Sequence, residues 1–347
     1  MSSLELAVYP LDVARRKTLR LATRSALVTR VLGRRDSRVA VLATMQIGVL
    51  FALAVAAPVA LFFIGPIVFG VPHLAADVRY LVLRQRIPRG LLVVSTLAAF
   101  TIVALRALSV AHAVRAPVDT AEAVAGVAWI LAALAYAARD RRAAARAALV
   151  GVATAIVGAV ALTHPRAAML VMTHGHNLVA VAVWLVLYRR RLAWGAVPAL
   201  VLALLAAAIL SGAAPPSEAL AFGTHVSSLA AGLAPGASLQ TAARIAVVFV
   251  FLQGVHYAAW TGWIPQEDLR TEGTLTFRMT VRGLVADFGV AGVAAVATVA
   301  LGLALLALLQ VHQALTLYLT LARFHGWLEL AMLAFLFVRR SAAVSGA

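Results

Sequence analysis

Long apolar segments separated by short basic ones make up most of this sequence. From residue 41 onward we distinguish ten apolar segments of about 17 to 25 residues, the length that a helix needs to cross a hydrocarbon core of about 30 Å. They lie at 41–64, 66–83, 90–110, 122–138, 147–163, 167–188, 195–211, 243–262, 284–309 and 314–338. The pattern predicts an all-α, polytopic integral membrane helical bundle of about ten transmembrane helices.

Composition and charge agree with this prediction. Of the 347 residues, 63% are apolar and 12% are charged, whereas soluble domains carry roughly 25% charged residues. The formal charge of +17 comes from basic clusters, which the ten-span pattern places on one membrane face. These clusters are the N-terminal arm, Arg84/Arg86/Arg89, Arg139/Arg141/Arg142/Arg146, Arg189/Arg190/Arg191, Arg270/Arg278/Arg282 and Arg339/Arg340. The positive-inside rule therefore predicts that both termini are cytoplasmic, and that the charge attracts membrane lipids rather than nucleic acid.

Two segments outside the spans have their own character. Residues 1–40 are predicted to form a basic amphipathic arm on the cytoplasmic surface, before a transmembrane domain at 41–340. Residues 212–242 form the longest connection on the outer face, and the sequence Pro-Pro-Ser-Glu at 215–218 is typical of a capped helix start. We expect an interfacial helix in this outer loop.

Ionisable residues in the middle of membrane spans are rare and often mark a functional site. Four predicted helices each place at least one imidazole at a similar depth. The histidines are His73, His174, His176, His256 and His325. Because His174 and His176 are two residues apart, only one can face the other histidines unless Gly175 breaks the helix.

Two carboxylates accompany these histidines. Asp77 follows His73 by four residues and Glu329 follows His325 by four, so each carboxylate shares a helix face with its imidazole. Three interpretations are open: a shared metal site, a proton or transport pathway, and structural polar packing. Arg323 is expected on roughly the opposite face from His325, where it either pairs with a carboxylate or marks the end of a span.

The chemistry of these ligands restricts the choice of metal. The chain has no cysteine, so any metal must take nitrogen or oxygen ligands. Imidazole with carboxylate suits non-haem iron, with zinc and copper as alternatives. Iron with an open coordination position binds O2, and a membrane bundle admits a lipid-soluble substrate sideways from the bilayer. Asp77 and Glu329 are then the candidate catalytic residues.

The sequence GVPHLAAD at residues 70–77 resembles the G-x-P-H-x-x-x-D stretch of the Brp/Blh-type bacterial β-carotene 15,15'-dioxygenases. Members of that family are polytopic, are thought to bind non-haem iron (Fe2+) through histidines of several helices, and cleave β-carotene with O2 to retinal. The resemblance implies that His73 is an iron ligand and Asp77 its helper. It also implies a bacterial inner-membrane location.

The resemblance covers this one motif and the general topology. The family usually has glycine where this chain has Leu74, and a later histidine pair separated by three residues where this chain has His174-Gly175-His176. Two other functions are therefore kept beside it. One is a haem-binding membrane quinone oxidoreductase, and the other is a proton-coupled transporter whose His/Asp and His/Glu pairs relay protons.

Overall fold

The computed structural model describes residues 3–113, 117–188, 191–267 and 275–344. These residues are helical almost throughout, and the β structure within them is one bridge between Ala221 and Thr224. The predicted basic residues Arg189, Arg190 and Arg270 lie outside the described ranges.

Seventeen α-helices follow one another along the chain. They are α1 Ser3–Ala7, α2 Tyr9–Ala22, α3 Ala26–Gly33, α4 Arg35–Ala56, α5 Pro58–Gly65, α6 Val71–Asp77, α7 Arg89–Val110, α8 Val118–Ala137, α9 Arg141–Thr163, α10 Pro165–Gly175, α11 Val179–Leu187, α12 Leu192–Ser211, α13 Val226–Leu233, α14 Leu239–Ala258, α15 Ile264–Glu267, α16 Phe277–Ala322 and α17 His325–Val344. Short π-helical or 3-10 stretches join some of them without a loop.

Nine helical segments among the described residues are long and apolar enough to cross a membrane, which indicates an integral membrane protein. They are Arg35–Ala56, Pro58–Leu83, Arg89–Val110, Val118–Ala137, Arg141–Thr163, Pro165–Leu187, Ala193–Ser211, Leu239–Gln266 and Phe277–Arg339. The first eight predicted spans each correspond to one segment, and the last two both fall in Phe277–Arg339. The all-α architecture is therefore confirmed.

Two predicted span boundaries differ from the structure. The first span was expected to continue to residue 64, but α4 ends at Ala56 and α5 begins at Pro58, because a residue before proline avoids the α-helical region. A break was also expected at 310–313, but α16 runs unbroken for 46 residues, about 70 Å at ~1.5 Å per residue. The segment 310–313 contains neither glycine nor proline to stop it. The break comes instead at Arg323 and Phe324.

The outer loop contains a helix at a later position than its proline pair indicated. Residues 215–220 have no regular structure, and the Ser217 backbone N–H donates to the Val55 carbonyl at 2.8 Å. The helix α13 begins at Val226, where Val226, Leu229 and Ala230 are buried. Burial of this apolar face, rather than the Ser-Glu pair, decides where the helix forms.

Contacts between Cα atoms divide the chain into two compact units: Met1–His73 with Asn177–Leu305, and Leu74–His176 with Leu306–Ala347. In the first unit, α4 packs against α12 and α14, and α13 packs against α14. Its fully buried side chains include Ile47, Ile209 and Phe251. The core of this unit is apolar, as expected when helices bury one face against their neighbours.

In the second unit, α8 is the central helix and packs against α7, α9 and α17. The indole N–H of Trp129 on α8 donates to the Ser95 hydroxyl of α7 at 3.0 Å, and Trp129 is 1% exposed. Phe335 of α17 and Ile102 of α7 are also fully buried. α8 is therefore fixed to its neighbours by both apolar packing and hydrogen bonds.

The N-terminal arm consists of α1, α2 and α3, and acidic residues attach it to the start of α16. Asp12 is 2% exposed, and its carboxylate accepts from the backbone N–H groups of Phe277 (2.9 Å) and Arg278 (3.3 Å) and from the Arg278 guanidinium (3.1 Å). Glu5 pairs with Arg282 in the same way. Burial alone raises the pKa of Asp12, but the three hydrogen bonds and the Arg278 charge together lower it.

We predict that Asp12→Asn releases the arm. Losing a charge-assisted hydrogen bond costs about 1.5 kcal/mol or more, so trypsin is expected to cleave the arm at least roughly tenfold faster at neutral pH. Asp140→Asn is the matched control, because Asp140 is an exposed helix cap and asparagine caps equally well.

The same pair of proteins also predicts a pH dependence. Because folding lowers the Asp12 pKa, its contribution is complete above the unfolded value of about 3.9 and is lost as pH falls through the lower folded value. Hydrogen exchange of the arm, compared between wild type and Asp12→Asn at each pH, should differ at pH 7 and converge at the acidic end. Equal exchange at neutral pH would contradict this role.

Candidate metal-binding site

Helix α6 carries His73 and Asp77 and lies between two π-helical stretches, Pro66–Gly70 and Val78–Leu83. Pro72 cannot donate to a carbonyl one turn earlier, and its ring clashes with that carbonyl in a regular α-helix. The wider turn of the preceding π-helix accommodates proline. Such stretches are frequent at functional sites because they change the direction in which side chains leave the helix.

His73 and His256 meet inside the first unit. Their rings form a T-shaped contact with centroids 4.7 Å apart, and both residues are 0% exposed. Phe251 and Val255 of α14 are equally buried, so α14 directs His256 into the protein core rather than toward lipid. A nitrogen of each imidazole lies within 4.8 Å of the other, a distance that one ion bound to both can bridge.

Tyr257 is a site neighbour that the sequence analysis missed. Its ring centroid lies 5.1 Å from that of His73, and the residue is 4% exposed. The one available signal was its position next to His256, because tyrosine in an apolar helix is ordinarily a packing residue. Its contact with His73 depends on how α14 packs, which spacing along the chain does not reveal.

Asp77 and Glu329 meet inside the second unit. Both are 0% exposed, and a carboxylate oxygen of each lies within 4.8 Å of the other. Two ionised carboxylates this close in a buried environment repel each other. The pair therefore requires a shared proton or a cation.

His325 and His176 also lie together in the second unit, with ring centroids 5.0 Å apart. Nδ1 of His325 contacts the Ala322 carbonyl, and Nδ1 of His176 contacts the Met172 carbonyl at 3.1 Å. A ring that donates from Nδ1 to a backbone carbonyl carries its lone pair on Nε2, which is the tautomer that binds a metal through Nε2. Backbone contacts thus orient both rings.

The described residues form two overlapping groups of candidate metal ligands. Ligand atoms of His73, His256 and His325 lie within 4.8 Å of one another, and so do those of His73, Asp77 and Glu329. Five of the seven predicted site residues belong to these groups, and His73 belongs to both.

The two remaining predicted ligands, His174 and His176, lie outside both groups. Helix α10 ends at Gly175, and a 3-10 turn covers His176–Leu178. The helix therefore changes type at Gly175, and His176 contacts His325 directly. His174 is half-buried.

Comparison with known proteins adds no relative: no family model, curated protein or solved structure matches this chain. The ligand chemistry must be judged on its own. Three imidazoles and two carboxylates, four of the five residues fully buried, provide the nitrogen and oxygen ligands that iron, zinc and copper accept. Buried ligands of both kinds within 4.8 Å of a common histidine fit a transition-metal ion.

We predict that Asp77→Asn has opposite effects on stability and on metal binding. Removing one of two repelling charges should leave the Tm of the metal-stripped protein unchanged or higher. Metal affinity should fall at least roughly tenfold, and with it the rise in Tm on adding Fe2+ without oxygen, worth about 2.7 kcal/mol when Fe2+ is at 100 times Kd. Asp140→Asn should respond to Fe2+ as wild type does, and a full Fe2+ response in Asp77→Asn would refute the assignment.

Proposed function

We propose that this protein is a membrane-embedded oxygenase that binds one non-haem iron ion through His73, His256 and His325. The observation that carries the proposal is the convergence of these three imidazoles within 4.8 Å. Histidine with carboxylate is the ligand set of many non-haem iron sites that use O2. The absence of cysteine from the chain favours iron over softer-ligand metals.

Asp77 and Glu329 have two roles in this proposal. An ionised carboxylate beside the imidazoles balances the charge of Fe2+ and orients a ring N–H. The pair can also hold one proton between its oxygens, because both ionise together only with a cation present. Burial of all four groups His73, His256, Asp77 and Glu329 excludes bulk water from this chemistry.

The proposed substrate is lipid-soluble, with a carotenoid as the first candidate. Bound iron would supply the binding and activation of O2. Cleavage of one C=C bond by one O2 gives two carbonyl groups, each with one oxygen atom, so no added reductant is needed. The apolar helices that surround the site let such a substrate arrive from the bilayer, in the proposed setting of a bacterial inner membrane.

Two other functions make different demands on the same residues. A haem between His73 and His256 would need space for a macrocycle, but their rings are in T-shaped contact at 4.7 Å. A proton-coupled transporter is the second candidate, because the buried Asp77–Glu329 pair is suited to exchanging a proton. The two surviving candidates differ in whether a metal is tightly bound.

We predict about one iron per chain in detergent-purified protein reconstituted with Fe2+ without oxygen, measured by elemental mass spectrometry. His73→Ala and His325→Ala should each lose most of it, because a removed imidazole leaves too few ligands. His164→Ala is the matched control, since His164 is an exposed residue at the start of α10. Folded wild-type protein that takes up no metal would support the transporter instead, and a Soret band would indicate haem.

We further predict that the iron-loaded protein consumes one O2 per β-carotene cleaved in lipid nanodiscs, with retinal detected by chromatography. His73→Ala should reduce the rate at least roughly 100-fold, as expected when a group essential to the reaction is removed, while His164→Ala keeps it. Iron-loaded protein that leaves β-carotene intact but consumes O2 with another isoprenoid would change the substrate. Iron without O2 consumption by any apolar substrate would overturn the oxygenase.

A further inference from the structure

A second buried carboxylate in the second unit lies outside the candidate ligand groups. Glu122 of α8 is 1% exposed and accepts hydrogen bonds from three side chains. The donors are Arg106 Nε at 2.5 Å, Arg323 Nε at 2.7 Å and the Trp327 indole N–H at 3.1 Å. Arg106 also pairs with Asp119 at 2.6 Å, so the two guanidinium charges are matched by two carboxylates.

The Trp327 ring is fixed a second time by Gly126, one turn after Glu122 on α8. A Cβ atom added to Gly126 would lie 2.1 Å from Cδ2 of Trp327, far inside van der Waals contact. The indole therefore lies directly on the Gly126 backbone while its N–H reaches Glu122. We call this pair of interactions the Glu122–Gly126 contact. It holds Trp327 in position, both along α8 and in ring orientation.

Trp327 lies between the two candidate site residues of α17. At about 100° per residue, His325 and Glu329 share one face, and Trp327 points about 200° away from His325. Arg323, in the turn before α17, reaches the same carboxylate as Trp327. The helix is thus held on one side by Arg323 and Trp327, and its opposite side presents His325 and Glu329.

We propose that the Glu122–Gly126 contact sets the rotation of α17 about its axis and so directs His325 and Glu329 toward the metal. Its effect on metal binding rests on the proposed function; its effect on α17 does not. Glu122 is a positioning residue, since it acts through Trp327 and Arg323. A rotation of α17 by one residue step, about 100°, would turn both site residues away.

The rotation of α17 can be measured without any metal. A Cβ atom on Gly326 would lie 3.6 Å from Cβ of His176, within the range of roughly 3.5–4.5 Å that a disulfide requires. The chain has no cysteine, so His176→Cys with Gly326→Cys gives one defined pair. Its oxidation by copper phenanthroline, followed by a gel shift after protease cleavage between the two positions, reports how α17 faces α10.

Two changes test the contact in this double-cysteine background. Glu122→Gln removes the carboxylate charge, and Gly126→Ala displaces the Trp327 ring without changing any charge. Each should slow disulfide formation at least roughly tenfold, since a shift beyond disulfide geometry prevents the bond. Asp119→Asn is the matched control: it neutralises an acid of the same network that contacts Arg106 but not α17, and should leave the rate unchanged.

The same three substitutions are then made in the chain with His176 and Gly326 intact. Glu122→Gln and Gly126→Ala should weaken Fe2+ binding roughly 10- to 100-fold, whereas Asp119→Asn should not. Unchanged cross-linking in folded Gly126→Ala and Glu122→Gln overturns the proposal, as does equal slowing by Asp119→Asn. Slower cross-linking in a protein that never binds metal would uphold the positioning of α17 and remove the proposed function alone.

Discussion

Burying ionisable side chains in an apolar bundle costs several kcal/mol for each uncompensated charge, and this constraint governs both units of the protein. His73 and His256 meet in the first unit, and Asp77 and Glu329 meet in the second, all four without exposure. Such groups persist in a sequence that is 63% apolar only where they compensate one another or hold a ligand. The helices and their breaks are arranged around that requirement.

Hydropathy predicted the helical architecture because the length of a span follows from bilayer thickness alone. It placed eight spans correctly to within several residues, but it missed the end of α4 at Ala56 and the continuity of α16 through 310–313. Those features depend on local backbone chemistry: Pro58 ends one helix, and nothing in the second segment ends the other. Gly289 within α16 has a φ of +70°, a local departure that composition does not reveal.

The site was predictable in part, for a related reason. Spacing of four residues places His73 with Asp77 and His325 with Glu329 on one helix face each, so the sequence could identify both pairs. Which helices meet depends on packing, and the contact of Tyr257 with His73 and the pairing of Glu122 with Arg323 are both products of packing. Arg323 was expected either to pair with a carboxylate or to mark a helix end, and the structure shows that it does both.

The two buried carboxylate settings of the second unit differ in a way that bears on function. Glu122 is met by two guanidinium groups and an indole N–H, rigid donors whose charge does not vary near neutral pH, so this carboxylate is suited to holding helices in place. Asp77 and Glu329 are met by each other and by His73, groups that exchange protons and bind metals. A protein that needed only compensation could use arginine at both places. The use of imidazole and paired carboxylate at one of them, and of arginine at the other, separates the part that does chemistry from the part that aligns it.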